Sequence, residues 1–255
     1  MSIIKAIILG LIQGLTEFLP ISSSGHLMLT EQLMELSNDL IFSLVLHLAT
    51  LLAVILFYWK DIIYIIKNPM CKLSKCLIVA FIPTIILAII IRKFLSDYII
   101  INYIGYLFLL TAFILLIPLI VKKKLNYGLS YKSGLIIGFV QGIACLPGIS
   151  RSGSTIIAGQ MSGLTKEESV KFSFLLSIPI IIGGIIFETV FNTKVVISTI
   201  IGLPMIVGFV VAFITGLLSI KIVQRLALQN KFYWFSIYLG LLGLFCVVNS
   251  IFGII

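Results

Sequence analysis

Charge is scarce in this sequence. Only 11% of its 255 residues are charged, nine of them Asp or Glu and eighteen Lys or Arg, against about 25% in a soluble domain. So few charges cannot cover a globule of this size, which excludes a water-soluble enzyme. Histidine occurs twice, at His26 and His47. The four cysteines, Cys71, Cys76, Cys145 and Cys246, form no paired framework. The Cys71–Cys76 spacing has no histidine or second cysteine pair beside it, so the expectation is free thiols rather than zinc. What the chain has is hydrophobicity: 60% of residues, with a mean hydropathy of +1.24. The net charge of +9 lies in short runs between apolar stretches, which is a topology signal and gives no support to nucleic-acid binding. Gln13 and Glu17 interrupt the first apolar stretch, against a cleavable signal peptide. The expectation is an all-α, polytopic membrane protein forming one integral domain over 1–255.

Six stretches have the length that about 30 Å of hydrocarbon demands: Asp39 to Tyr58, Cys76 to Ile91, Asn102 to Val121, Ser169 to Phe191, Val195 to Ile220 and Phe232 to Ile254. Pro83, Pro118, Pro179 and Pro204 sit inside them and predict kinks. Two further stretches are interrupted. Ile3 to Phe18 runs into Leu-Pro-Ile-Ser-Ser-Ser-Gly and then a short arm, His26 to Leu36. Ser133 to Cys145 runs into Leu146 to Gly153 and then another short arm to Gly163. Ten residues of helix reach only about 15 Å, too little to cross, so both read as re-entrant helical hairpins. Irregular backbone at membrane depth is tolerated only inside protein or beside water.

The two interrupted stretches match at an offset of 128 residues. Gly10, Gln13, Gly14, Ser22, Ser24 and Gly25 align with Gly138, Gln141, Gly142, Ser150, Ser152 and Gly153, and Asp39 aligns with Glu167. The chain reads as pseudo-repeats 1–127 and 128–255. Each half holds one hairpin and three spans, and an odd number of spans inverts the second half, an inverted-topology repeat. With loops assigned alternately, thirteen Lys and Arg fall on one side and four (Lys5, Arg92, Lys93, Lys194) on the other. The first side is then cytoplasmic, and both termini face outward.

Glu17 is the most telling residue, because a carboxylate deep in an apolar hairpin is costly and marks a functional site. Gln13, one helical turn earlier, shares its face. With the tip hydroxyls they make a hard-oxygen environment suited to Mg²⁺ or Ca²⁺. Ser22, Ser23 and Ser24 are candidate nucleophiles or ligands, and His26 and Glu17 are the available bases. Ser24 is also a candidate helix N-cap. His47 reads as a packed structural residue and Glu188 as interfacial. In the second tip, Arg151 lies among Ser150, Ser152, Gly153, Ser154 and Thr155, with a helix starting near Ser154. A guanidinium among hydroxyls at a helix N-terminus is a receptor for phosphate or carboxylate. Together the tips fit phosphoryl transfer from a lipid-embedded anion.

The runs from Gln13 to His26 and from Pro147 to Gly153 closely resemble the two signature stretches of the undecaprenyl-pyrophosphate phosphatase family of the bacitracin-resistance type. The resemblance covers essentially the whole chain. It implies hydrolysis of undecaprenyl pyrophosphate to undecaprenyl phosphate and inorganic phosphate, recycling the lipid carrier of cell-wall synthesis at the outer face of the bacterial inner membrane. It implies metal binding by Glu17 with Gln13, nucleophilic attack or its activation by Ser23 and His26, and phosphate binding by Arg151. Ser22, Ser24, Ser150, Ser152, Gly153 and Thr155 are the expected substrate contacts. Gln13 is the less acidic variant of the family's Glu/Gln-x-x-x-Glu pattern, and Ser24 stands where many members carry Thr. The partners implied are the polyprenyl pyrophosphate and the bilayer, with a homodimer as an open option and no nucleic acid. Attack by Ser23, by His26 or by water directly remain three open mechanisms. A lipid-carrier transporter with the same inverted-repeat architecture is the alternative, and an ion channel the weakest one, since no ring of like residues is present.

Overall fold

The structure, a computed structural model, describes residues 2–36, 40–94, 97–121, 127–191 and 202–253. Asp39, Lys122, Lys123, Lys124 and Lys194, used above for the repeat and the charge balance, lie outside the described residues, as does 195–201 of the fifth expected span. Among the described residues the architecture is all-α. Its eleven helices are α1 (Ile3–Phe18), α2 (Ser23–Leu33), α3 (Leu40–Phe57), α4 (Trp59–Lys67), α5 (Lys72–Phe94), α6 (Asp97–Ile120), α7 (Tyr131–Ile143), α8 (Arg151–Met161), α9 (Lys166–Phe191), α10 (Leu203–Leu228) and α11 (Tyr233–Phe252). Six of them, α3, α5, α6, α9, α10 and α11, are long and apolar enough to cross a membrane. Each leaves large apolar side chains uncovered, such as Ile78, Ile82 and Ile86 on α5 and Leu241, Leu244 and Phe245 on α11. Such belts are stable against lipid and not against water.

Two expectations change, and one helix is added. The shortest expected span grows to 23 residues, because Lys72, Lys75, Arg92 and Lys93 can continue the helix while their ammonium and guanidinium groups reach the polar boundary. The segment after Tyr58 forms α4, which packs against α3; its Asp61 is ion-paired to Lys171 of α9. Pro204 does not kink a span. It occupies the first turn of α10, where its missing N–H has no intrahelical partner to lose. Pro83, Pro118 and Pro179 do lie inside helices.

Glycine sets the closest packing. α1 lies along α10, and α7 lies along α5. A Cβ on Gly10 would come within 2.7 Å of the Gly208 carbonyl, and one on Gly138 within 2.1 Å of the Ala80 carbonyl. Residue 138 is 128 positions after 10, and 208 is 128 positions after 80, so each interrupted helix meets a span of the other half in the same register. Small residues are what allow membrane helices this approach. Buried hydroxyls on these helices return to the preceding turn, as in Thr16 to Ile12 O (2.7 Å) and Thr84 to Ala80 O (2.8 Å), and so bring no unsatisfied donor into the apolar interior.

A Cβ on Gly14 would lie 2.5 Å from the Ala212 carbonyl and 2.0 Å from Thr215 Oγ1, whereas Gly240 has nothing within 4 Å. Gly14→Ala should therefore cost about 1–3 kcal/mol and lower Tm in detergent, while Gly240→Ala leaves it level or raises it slightly. Equal melting of the two variants contradicts the close α1–α10 contact.

Candidate active site

α1 ends directly before Pro20 and α7 at Ile143, four residues before Pro147, and the two tips meet. α1 stops at Leu19, which is extended, just before Pro20, because the residue before a proline is driven out of the helical region. The chain turns at Ser22, which is held at φ 69°, a conformation costly for a residue with a Cβ. Contacts across the tips hold it there. Ser22 Oγ accepts the Gly148 N–H at 3.0 Å, and Ser152 Oγ donates to the Leu19 carbonyl at 3.0 Å. Gly148 has φ 97° and packs its α-carbon side on Leu107. Thr111 of α6 donates to Gly148 O and accepts from Ser150 N–H, at 3.0 and 3.1 Å.

This junction brings Glu17 and Arg151 into contact from opposite tips. Glu17 Oε1 is paired with the Arg151 guanidinium. Its Oε2 accepts Ser23 Oγ at 2.5 Å and Gln13 Nε2 at 3.1 Å. The carboxylate is buried, with its side chain 1% exposed against 20% for Arg151. A buried charge of this kind persists only with a partner and hydrogen bonds on both oxygens, and here it has them. A small cleft opens beside the pair, lined by Glu17, Arg151, Ser152 and, from α9, Ser173 and Ser177, with Phe18 and Phe174 as its apolar wall. Those two rings meet edge to face at 5.4 Å.

His26 lies on the far side of the tip. Its Nδ1 is 2.8 Å from the Ser22 carbonyl and its Nε2 is 2.8 Å from the hydroxyl of Tyr238 on α11. Neither nitrogen is bonded to Ser23 or Glu17.

The remaining expected site residues divide. Ser152 lines the cleft. The N-cap of α2 is Ser22, with its side chain turned to Gly148, so Ser24 is not the cap; Ser24 is half-buried one position inside the helix. α8 begins at Arg151 rather than near Ser154, because Ser150 caps it by accepting the Gly153 N–H at 3.1 Å. Ser150 and Gly153 are thereby engaged with each other, and a Cβ on Gly153 would lie 2.9 Å from Pro20. The Thr155 hydroxyl bonds Ser173 Oγ at 2.5 Å and the Arg151 carbonyl at 2.8 Å, so it lies behind two lining residues and does not itself line the cleft. His47 Nδ1 bonds the Ser43 carbonyl of its own helix, and Glu188 pairs with Arg92. Residue 145, 128 positions after Glu17, is Cys145, and its neighbour Gln141 has no partner for either amide atom among the described residues. The second tip therefore keeps the amide but not the acid that the amide serves in the first.

Sequence reasoning missed Thr111, Ser173, Ser177 and Tyr238. A signal existed for α9, where Ser169, Ser173 and Ser177 recur every fourth residue of an apolar helix. None existed for Tyr238, which is 212 residues from His26.

A multi-pass helical membrane protein with a charged cleft buried where two interrupted helices meet is the class defined by this fold and site. Residues 6–245 match the family described as Bacitracin resistance protein BacA, and the chain belongs to that family. It is similar to the undecaprenyl-diphosphatase of Halothermothrix orenii, 35% identical over 97% of this chain and 98% of the relative. It is also similar to undecaprenyl-diphosphatase 4 of Bacillus thuringiensis subsp. konkukian, 40% identical over 96% of each chain. The undecaprenyl-diphosphatase of Thermosipho africanus is 39% identical over 93% of this chain and 96% of its own.

Proposed function

We propose that this protein is an undecaprenyl-diphosphatase that releases the terminal phosphate of the lipid pyrophosphate and returns the monophosphate carrier to cell-wall synthesis. The observation that carries this reading is one buried carboxylate with two jobs. Glu17 accepts the Ser23 hydroxyl on one oxygen and holds Arg151 on the other. A hydroxyl becomes a nucleophile when an adjacent base takes its proton, and Glu17 is the base in hydrogen-bond reach of Ser23.

In this scheme the terminal phosphate enters the cleft and takes over Arg151, whose guanidinium suits two phosphate oxygens. The α8 N-terminus adds a favourable dipole. Ser23 Oγ bonds to the terminal phosphorus as its proton passes to Glu17. The bond from phosphorus to the bridging oxygen breaks, and Glu17 returns the proton to the departing lipid phosphate. Water then gives a proton to Glu17, its oxygen displaces Ser23 Oγ from phosphorus, and the serine regains its proton. Arg151 stabilises the charge gathered on the phosphoryl oxygens in both halves.

A divalent cation fits the donors present. Gln13 Oε1 is buried without a partner among the described residues, beside an amide nitrogen that bonds Glu17, and Mg²⁺ is commonly held by one or two carboxylates plus substrate phosphates. Gln13 and Glu17 would hold Mg²⁺ or Ca²⁺, and the ion would neutralise charge on the pyrophosphate oxygens.

We also read the two helix pairs as re-entrant hairpins of an inverted repeat, with both termini and the first hairpin mouth on the outer side of the inner membrane. The exchanged packing of α1 on α10 and α7 on α5 supports the repeat. The pairing of Arg92 with Glu188 and of Lys171 with Asp61 supports the alternating loop assignment, because each pair brings together the ends of spans whose Lys and Arg fall on the same side.

Purified protein in detergent, given farnesyl or undecaprenyl pyrophosphate, should release inorganic phosphate. EDTA should abolish the release, and Mg²⁺ or Ca²⁺ should restore it. Folded protein that releases none with either ion is not a phosphatase. Detergent offers no second compartment, so a carrier without catalysis also stays silent.

A further inference from the structure

His26 is held at both ends. The Ser22 carbonyl can only accept, so Nδ1 carries the hydrogen and donates to it at 2.8 Å. The neutral ring then presents Nε2 as an acceptor, and the Tyr238 hydroxyl, at 2.8 Å, donates to it. The ring lies between two others: Tyr238 is stacked on it at 5.7 Å with 20° between planes, and Phe108 is tilted against it at 5.4 Å. The accepting carbonyl belongs to Ser22, the residue held at φ 69°, and the next residue is Ser23, whose hydroxyl meets Glu17 at 2.5 Å.

We propose that Tyr238 and His26 form a strut that positions the nucleophile: the Tyr238 hydroxyl selects the Nδ1–H tautomer of His26, and that N–H pins the strained Ser22 so that Ser23 faces Glu17. This rests on the phosphatase reading above and assigns His26 a role in placing Ser23 rather than in taking a proton or attacking phosphorus. Both ring nitrogens are engaged in the strut, which leaves no lone pair directed at the reacting atoms. A side chain that acts by orientation matters because a displacement of about 1 Å at a reacting atom costs about 10²-fold in rate. Tyr238 comes from α11 in the far half of the chain, so the strut also ties the first tip to the second half.

Three single variants, one double variant and one spectrum test it. Tyr238→Phe keeps the stack and loses the hydrogen bond, so kcat should fall about tenfold with KM little changed. His26→Ala should lower kcat by about 10²-fold. His26→Asn puts an amide N–H where Nδ1–H stands, and should recover activity to within about tenfold of wild type. Adding Tyr238→Phe to His26→Asn should then cost nothing further, since the amide has no atom at the Nε2 position, and coupled residues are non-additive. With ¹⁵N-histidine, the His26→Asn spectrum assigns the His26 signals. In wild type Nδ1 should be protonated and Nε2 bare, and Tyr238→Phe should shift the Nε2 signal. A folded His26→Asn protein as inactive as His26→Ala overturns the strut, because a base or nucleophile cannot be replaced by an amide. So does unchanged kcat in Tyr238→Phe. If wild type releases no phosphate, the phosphatase reading fails, while the tautomer and its response to Tyr238→Phe still decide the strut.

Discussion

Ser23→Ala should reduce kcat by at least about 10³-fold while the protein stays folded in detergent with a modestly lowered Tm. The serine hydroxyl makes one hydrogen bond, to Glu17 Oε2, and Gln13 Nε2 and Arg151 still satisfy the carboxylate without it. Stability therefore changes by no more than the net value of one charge-assisted bond, about 1.5–3 kcal/mol. Turnover, by contrast, loses the atom that bonds to phosphorus. A phosphorylated enzyme trapped by rapid acid quench should appear in wild type and be missing in the variant. Near-normal release of phosphate by folded Ser23→Ala removes the serine mechanism and leaves direct attack by water or by His26. Wild-type label that survives acid as a phosphoester assigns the serine, since a phosphoramidate on imidazole is acid-labile.

The Glu17–Arg151 pair separates stability from activity in the opposite way. Arg151→Ala strands a carboxylate whose side chain is 1% exposed, and removing one partner of a buried pair costs about 3–5 kcal/mol. Catalysis should fall too, by about 10²–10³ in kcat/KM, the usual range for loss of a group that stabilises transition-state charge. The double variant Glu17→Gln with Arg151→Met removes both charges and keeps most of the volume. It should recover much of the lost Tm, because a neutral pair no longer bears the desolvation of an unpaired ion, and it should remain inactive. Measuring Tm and phosphate release for the three proteins gives the test. If Arg151→Ala is as stable as wild type, the carboxylate is not buried against the guanidinium. If the double variant turns over substrate, neither residue serves the chemistry.

Much of this was legible from residue order. The six spans follow from hydropathy and length, since a helix must supply about 20 apolar residues to cross hydrocarbon. The interrupted helices follow from Pro20 and Pro147 followed by serine and glycine. Glu17 and Arg151 stood out because ionised groups in so apolar a chain need a reason. Local chemistry at the tips was less legible. Ser22, Ser24 and Ser150 all look alike in sequence, and only backbone geometry distinguishes the cap of α8 from the strained turn before α2. Pro204 read as a kink because the hydrophobic run continues on both sides of it, and helix starts are invisible where composition does not change.

Order along the chain determined which helices are apolar and which two carry polar interruptions, because both properties depend on neighbours within a few turns. Tertiary structure decided what meets what. Glu17 and Arg151 are 134 residues apart and His26 and Tyr238 are 212 apart. Such pairs are set by which helix faces are small enough to approach, as Gly10 does Gly208 and Gly138 does Ala80. Hydropathy carries no record of that, since lipid and protein neighbours are equally apolar and only shape and hydrogen bonding distinguish them.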